Sequence, residues 1–165
     1  MTTAAGRGRW RVLVVDDEQN LNWSLVHSLR KDGYISDGAL TGAEAQTLLR
    51  ESRYDCVISD VKMPGMDGFE LLQWLRQHQP QARVIMMTAF GSPSAREEAL
   101  RGGVVAYLEK PFDLRALKEE LQRLTAEKSA ASAGDGYDLL EVVRVINLSR
   151  RDIALAVRSN GRTGT

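Results

Sequence analysis

Val12-Leu13-Val14-Val15-Asp16-Asp17-Glu18 sets a run of β-forming apolar residues directly against three carboxylates. The run is too apolar for a surface strand, so it reads as a buried parallel strand that delivers its charges to the carboxyl edge of a sheet. Cys56-Val57-Ile58-Ser59-Asp60 repeats the pattern with a single terminal carboxylate. That edge is where open α/β sheets place their chemistry. Carboxylates gathered there repel one another unless a cation lies among them, and an all-oxygen set of this kind points to a hard divalent ion, Mg²⁺.

Outward from these two runs, strand-like and helix-like segments alternate with short connections. Strands are predicted over residues 11–16, 35–39, 55–60, 83–88 and 104–109. Between them the period becomes helical: Leu21, Leu25 and Leu29 share one face, and Leu48, Leu72, Leu75, Leu114, Leu117, Leu121 and Leu124 mark later stripes. Five such units imply a parallel sheet with helices on both faces. Thr41 with Glu44 and Asp67 with Glu70 have capping-box spacing, Asp113 follows Pro111, and Gly33 and Gly102-Gly103 suit helix ends. Residues 92–101 carry little beyond Ala95, Ala99 and Leu100 as an apolar stripe, and a thinly packed element is a candidate for movement.

Composition narrows the function. With 165 residues and 43% hydrophobic content, the chain supplies one core and a remainder. Its 22 basic and 22 acidic residues give no global charge that would draw it to nucleic acid or anionic membrane. Cys56 has no second cysteine to pair with, residues 1–9 form a flexible polar tail without an apolar signal core, and no apolar run is long enough to span a membrane. A soluble cytoplasmic protein follows. His27 and His78 lack partners at metal-binding spacing and read as surface residues, while Trp23 and Trp74 read as partly buried helix residues.

At residues 126–136 Ala, Ser, Gly and charged residues replace the Leu stripe, as in a linker. Residues 137–165 open a second apolar pattern, with an alternating run from Ile153 to Val157 and a hairpin signal at Asn160-Gly161. That much chain cannot build a core alone, so it reads as the truncated start of a second, output or interaction domain.

Asp16-Asp17-Glu18, Asp60-Val61-Lys62-Met63-Pro64-Gly65, Met87-Thr88-Ala89 and Tyr107-Leu108-Glu109-Lys110-Pro111-Phe112, in this order and each at a predicted strand end, resemble the receiver domain of two-component response regulators over residues 10–125. The resemblance implies a flavodoxin-like fold of strand order 2-1-3-4-5. It makes Asp60 the phosphoacceptor, a carboxylate nucleophile that forms an aspartyl phosphate. It also implies Mg²⁺ held by Asp17, by Asp16 largely through water, by Asp60 and by the backbone carbonyl of Lys62. Lys110 then completes a neutral set, since three carboxylates, one ammonium and one Mg²⁺ sum to zero, and the Thr88 hydroxyl can donate to a phosphoryl oxygen. Tyr107 takes the position of an aromatic switch, and the Lys110-Pro111 peptide is expected cis.

The phosphodonor implied is a sensor histidine kinase or a phosphotransfer protein, and the output is an unknown protein read from the fourth helix and fifth strand, with a homodimer on phosphorylation as a further expectation. Such a chain catalyses only its own phosphorylation and slow dephosphorylation. Residues 137–165 also resemble the opening of the PatA amino-terminal-like family. Three rival readings stand beside it: a receiver-shaped interaction module that is not phosphorylated, a DNA-binding regulator, for which the tail shows no helix-turn-helix pattern, and a haloacid-dehalogenase-type phosphatase. The last needs a second Asp two residues after the nucleophile, where this chain has Lys62.

Overall fold

The computed structural model describes residues 9–133 and 146–147, so the expectations for the N-terminal tail and for most of residues 137–165 lie outside the described residues. The elements alternate along the chain as β1 (Arg11–Val15), α1 (Gln19–Lys31), β2 (Ile35–Ala39), α2 (Gly42–Glu51), β3 (Cys56–Asp60), α3 (Gly68–His78), β4 (Arg83–Thr88), α4 (Pro93–Arg101), β5 (Ala106–Glu109), α5 (Leu114–Ala133) and β6 (Ile146–Asn147). The sheet order is β2-β1-β3-β4-β5-β6. Its first five strands have the 2-1-3-4-5 order of a flavodoxin-like fold, and the two-residue β6 adds to the outer edge of β5 in parallel.

The described residues group into two compact units divided between Arg83 and Val84. In the first, β1 pairs in parallel with β2 on one side and β3 on the other, with Val12 opposite both Ser36 and Cys56. Val12, Leu13, Val14 and Val15 are wholly buried, which is why this strand has no alternation of polar and apolar residues. α1 buries Asn22, Leu25, Val26 and Leu29 and ends with Arg30 and Lys31 beside its carbonyl-rich terminus. Gly33, at φ +95°, turns the chain out of the helix.

Thr41 caps α2 by accepting from the Glu44 N–H, and Asp67 with Glu70 forms the full capping box at α3. Gln79 ties two helix ends together, donating to the carbonyls of Leu49 and Ser52 and accepting from the Tyr54 N–H. Trp23 departs from expectation. The buried stripe of α1 runs through positions 22, 25, 26 and 29, leaving Trp23 66% exposed and stacked on His27 one turn on.

In the second unit β4 and β5 pair in parallel from Ile85 opposite Ala106 to Thr88 opposite Glu109. Ser92 caps α4 by accepting from the Ala95 N–H, Pro93 occupies its first turn, and Ala99 is its one buried residue. α5 buries Leu117, Leu121 and Leu124 together with Glu120, which pairs with Arg123. The helix does not stop at the Leu stripe. It continues to Ala133, through most of the stretch read as a linker, because Ala, Glu and Lys sustain a helix and no Gly or Pro intervenes before Gly134.

Candidate functional site

Two strand ends of the first unit bring their carboxylates together. Asp16 leaves β1 fully buried, Asp60 ends β3 at 7% exposure, and Asp17 is exposed beside them. One carboxylate oxygen from each lies within 4.8 Å of the others. An octahedral Mg²⁺ holds oxygens at about 2.1 Å, which puts adjacent ligands about 3.0 Å and opposite ligands about 4.2 Å apart. The trio's oxygens, within 4.8 Å of one another, lie close to that spacing. The donor set of hard oxygens fits Mg²⁺ and lacks the Cys or His ligands that soft-metal chemistry would use.

Local bonding fixes this arrangement from several sides. Asp16 Oδ1 accepts from the Glu18 N–H at 2.8 Å, so the carboxylate is held by its own turn. The Asp16 N–H donates to the Ala39 carbonyl at 3.1 Å, extending the β1–β2 ladder one residue past the strand. After Asp60, the Val61 carbonyl accepts from the Gly68 N–H at 2.8 Å and closes the loop that contains Lys62. A Cβ at position 68 would stand 2.4 Å from the Asp60 carbonyl oxygen, so only glycine lets α3 begin this close to the backbone of Asp60. Gly65, at φ +78°, makes the turn within the same loop.

Sequence reasoning missed one participant. Asn22 of α1 is 5% exposed, and its Nδ2 lies 2.8 Å from the Ala39 carbonyl oxygen and 3.2 Å from those of Val14 and Asp16. The signal that could have raised it was Gly38, a glycine inside a strand, which often marks a place where another group comes close. A Cβ there would sit 2.2 Å from Asn22 Oδ1.

In the second unit Thr88 ends β4 and Lys110 directly follows β5, while Tyr107 lies within β5 opposite Met86. The Lys110 N–H donates to the Thr88 carbonyl at 2.7 Å, and the Lys110-Pro111 peptide is cis, as the resemblance implied. Thr88 Oγ1 accepts from the Phe90 N–H at 3.2 Å. Tyr107 is wholly buried, and among the described residues its hydroxyl has no partner in hydrogen-bonding geometry. Burial raises its pKa; the nearby Thr88 hydroxyl opposes that rise, Glu109 adds to it and Arg96 offsets part of it. His27 and His78 are exposed, as anticipated. Among the described residues no helix is long and apolar enough to cross a membrane.

The response regulator receiver domain family matches residues 12–122 of this chain. The response regulator protein FleR of Pseudomonas aeruginosa is 36% identical over 148 residues, covering 90% of this chain and 30% of FleR. The chain therefore spans less than a third of that relative's length. Sporulation initiation phosphotransferase F of Bacillus subtilis is 32% identical over 119 residues, covering 72% of this chain and 96% of the relative. Among solved structures, response regulator protein TrrA of Thermotoga maritima, in complex with Mg²⁺ and BeF, is 34% identical with a TM-score of 0.63, covering 70% of this chain and 98% of TrrA.

Proposed function

Since the chain belongs to the response regulator receiver domain family, we propose that it is a phosphorylation-dependent switch whose phosphoacceptor is Asp60. The observation that carries the reading is the meeting of buried Asp16 and Asp60 with exposed Asp17, their oxygens within 4.8 Å of one another. In the proposed step a carboxylate oxygen of Asp60 attacks the phosphorus of a phosphohistidine on a sensor histidine kinase or phosphotransfer protein. The O–P bond forms as the N–P bond breaks, and the imidazole leaves with the bonding electrons.

Asp16, Asp17, Asp60 and the Lys62 carbonyl would hold Mg²⁺, which when bound supplies positive charge to the phosphoryl oxygens. The Lys110 ammonium balances the remaining carboxylate charge, and the Thr88 hydroxyl donates to a phosphoryl oxygen. Tyr107, buried next to Thr88, is assigned the switch. The chemistry is confined to the chain's own phosphorylation and its slow reversal, in the cytoplasm. Output is assigned to the α4 and β5 surface, which would also serve a phosphorylated homodimer, and residues 137–165 to an output or interaction module.

The test is intact mass after incubation with acetyl phosphate and Mg²⁺. The native chain gains one phosphoryl group, and Asp60→Asn, which nearly preserves side-chain shape, gains none while keeping its fold. Undiminished labelling of Asp60→Asn would overturn the assignment.

A further inference from the structure

Asn22 is a buried primary amide among the apolar residues that fasten α1, and an amide is costly to bury unless its hydrogens are used. Two hydrogens on Nδ2 serve three carbonyl oxygens: Ala39 at 2.8 Å, and Val14 and Asp16 at 3.2 Å. These are not arbitrary acceptors. Ala39 O also receives the Asp16 N–H, and Asp16 O belongs to the planar peptide that joins Asp16 to Asp17. Holding that oxygen fixes the plane and therefore the direction in which the Asp17 Cα leaves. Asp16 is fully buried and held by its own turn, whereas Asp17 is exposed, so its direction depends more heavily on the backbone that carries it.

The far side of the amide is fixed as well. Asn22 Oδ1 occupies the space where residue 38 would carry a Cβ, 2.2 Å from its built position. Glycine is a poor residue for a strand interior, and β2 has one directly opposite Val14, whose carbonyl Asn22 also contacts. Asn22 and Gly38 thus fit as one device.

We propose that Asn22, seated against Gly38, is a positioning residue for the metal site: it locks the Asp16–Asp17 peptide so that the exposed Asp17 carboxylate is aimed at the cation before the cation arrives. The inference rests on the Mg²⁺ reading given above and adds to it a residue that touches neither the metal nor the phosphoryl group.

Mg²⁺ titrations by calorimetry, with thermal melts in chelator, test it on the full chain. Asn22→Ala removes the donors and is expected to weaken Mg²⁺ binding about tenfold, the scale on which supporting residues act on metal ligands. Gly38→Ala removes no hydrogen-bonding group but displaces the amide, and is expected to weaken binding to a similar extent. In the double variant the second change adds nothing, because Asn22→Ala leaves no Oδ1 for the new Cβ to meet; Val26 Cγ2, 3.2 Å from that Cβ, is common to both backgrounds.

Native Mg²⁺ affinity in both single variants, with lowered melting temperatures alone, would overturn the proposal by reducing Asn22 to a fold residue. Additive losses in the double variant would also overturn it, since the pair would not be one device. If Asn22→Ala fails to fold, Gly38→Ala decides alone, and native affinity there counts against the proposal. A native chain that binds no Mg²⁺ would instead bring down the metal reading, and this inference with it.

Discussion

α1 and α4 each follow a strand whose carboxyl end carries a proposed site residue, yet they are fastened very differently. α1 buries four of its 13 residues, among them Asn22 with its three carbonyl partners. α4 buries only Ala99 of nine, leaves Ala95, Arg96 and Leu100 half-buried, and carries the Ser92 cap and an exposed Arg101–Glu97 pair at 3.8 Å. Exposed pairs of this kind contribute little. The difference suggests a division of labour for the proposed switch: the element beside the acidic trio is firmly anchored, and the element that follows Thr88 has little packing to lose in taking up a second arrangement.

The comparison can be broken most directly by truncating one leucine in each helix. Leu29→Ala in α1, at a wholly buried position, is expected to cost about 2–5 kcal/mol in urea unfolding, and Leu100→Ala in α4, at a half-buried position, about 1 kcal/mol or less. Equal costs would show the two helices to be equally anchored. A second measurement uses amide exchange before and after treatment with acetyl phosphate and Mg²⁺. The amides of α4 are expected to change protection more than those of α1; larger changes in α1 would move the output surface away from α4 and β5. The smallest effect sharpens the contrast within α4. Ser92→Ala removes a helix cap worth about 1 kcal/mol, so α4 exchange should quicken about fivefold while the global unfolding midpoint stays in place. A midpoint that falls with the cap would mean that α4 unfolds only with the whole protein.

β1, β3 and β4 were legible in the sequence because a strand buried on both faces has to be apolar throughout, and the carboxylates at the ends of β1 and β3 then have one place to be. The acidic trio was legible for the same reason. Asn22 was not, because a single polar residue beside a leucine stripe reads as surface until the register shows which glycine of β2 lies against it. Trp23 misled in a related way: its size suggests burial, but the phase of the helix decides, and the phase is set by the sheet beneath α1. The stretch after Leu124 reads as a linker because the apolar stripe ends there, yet the end of a stripe is not the end of a helix. The stripe reports what the helix packs on, whereas Ala, Glu and Lys keep it going without packing.

The length of α5 has a mechanical consequence. Its 20 residues make a rod of about 30 Å. A tilt of about 10° at the Leu114 end carries the Ala133 end through about 5 Å, given the rise per residue of an α-helix. The buried leucines, Leu117, Leu121 and Leu124, lie between the Leu114 end and the middle of α5, so the Ala133 end is the long arm of a lever whose leucine contacts are near the fulcrum.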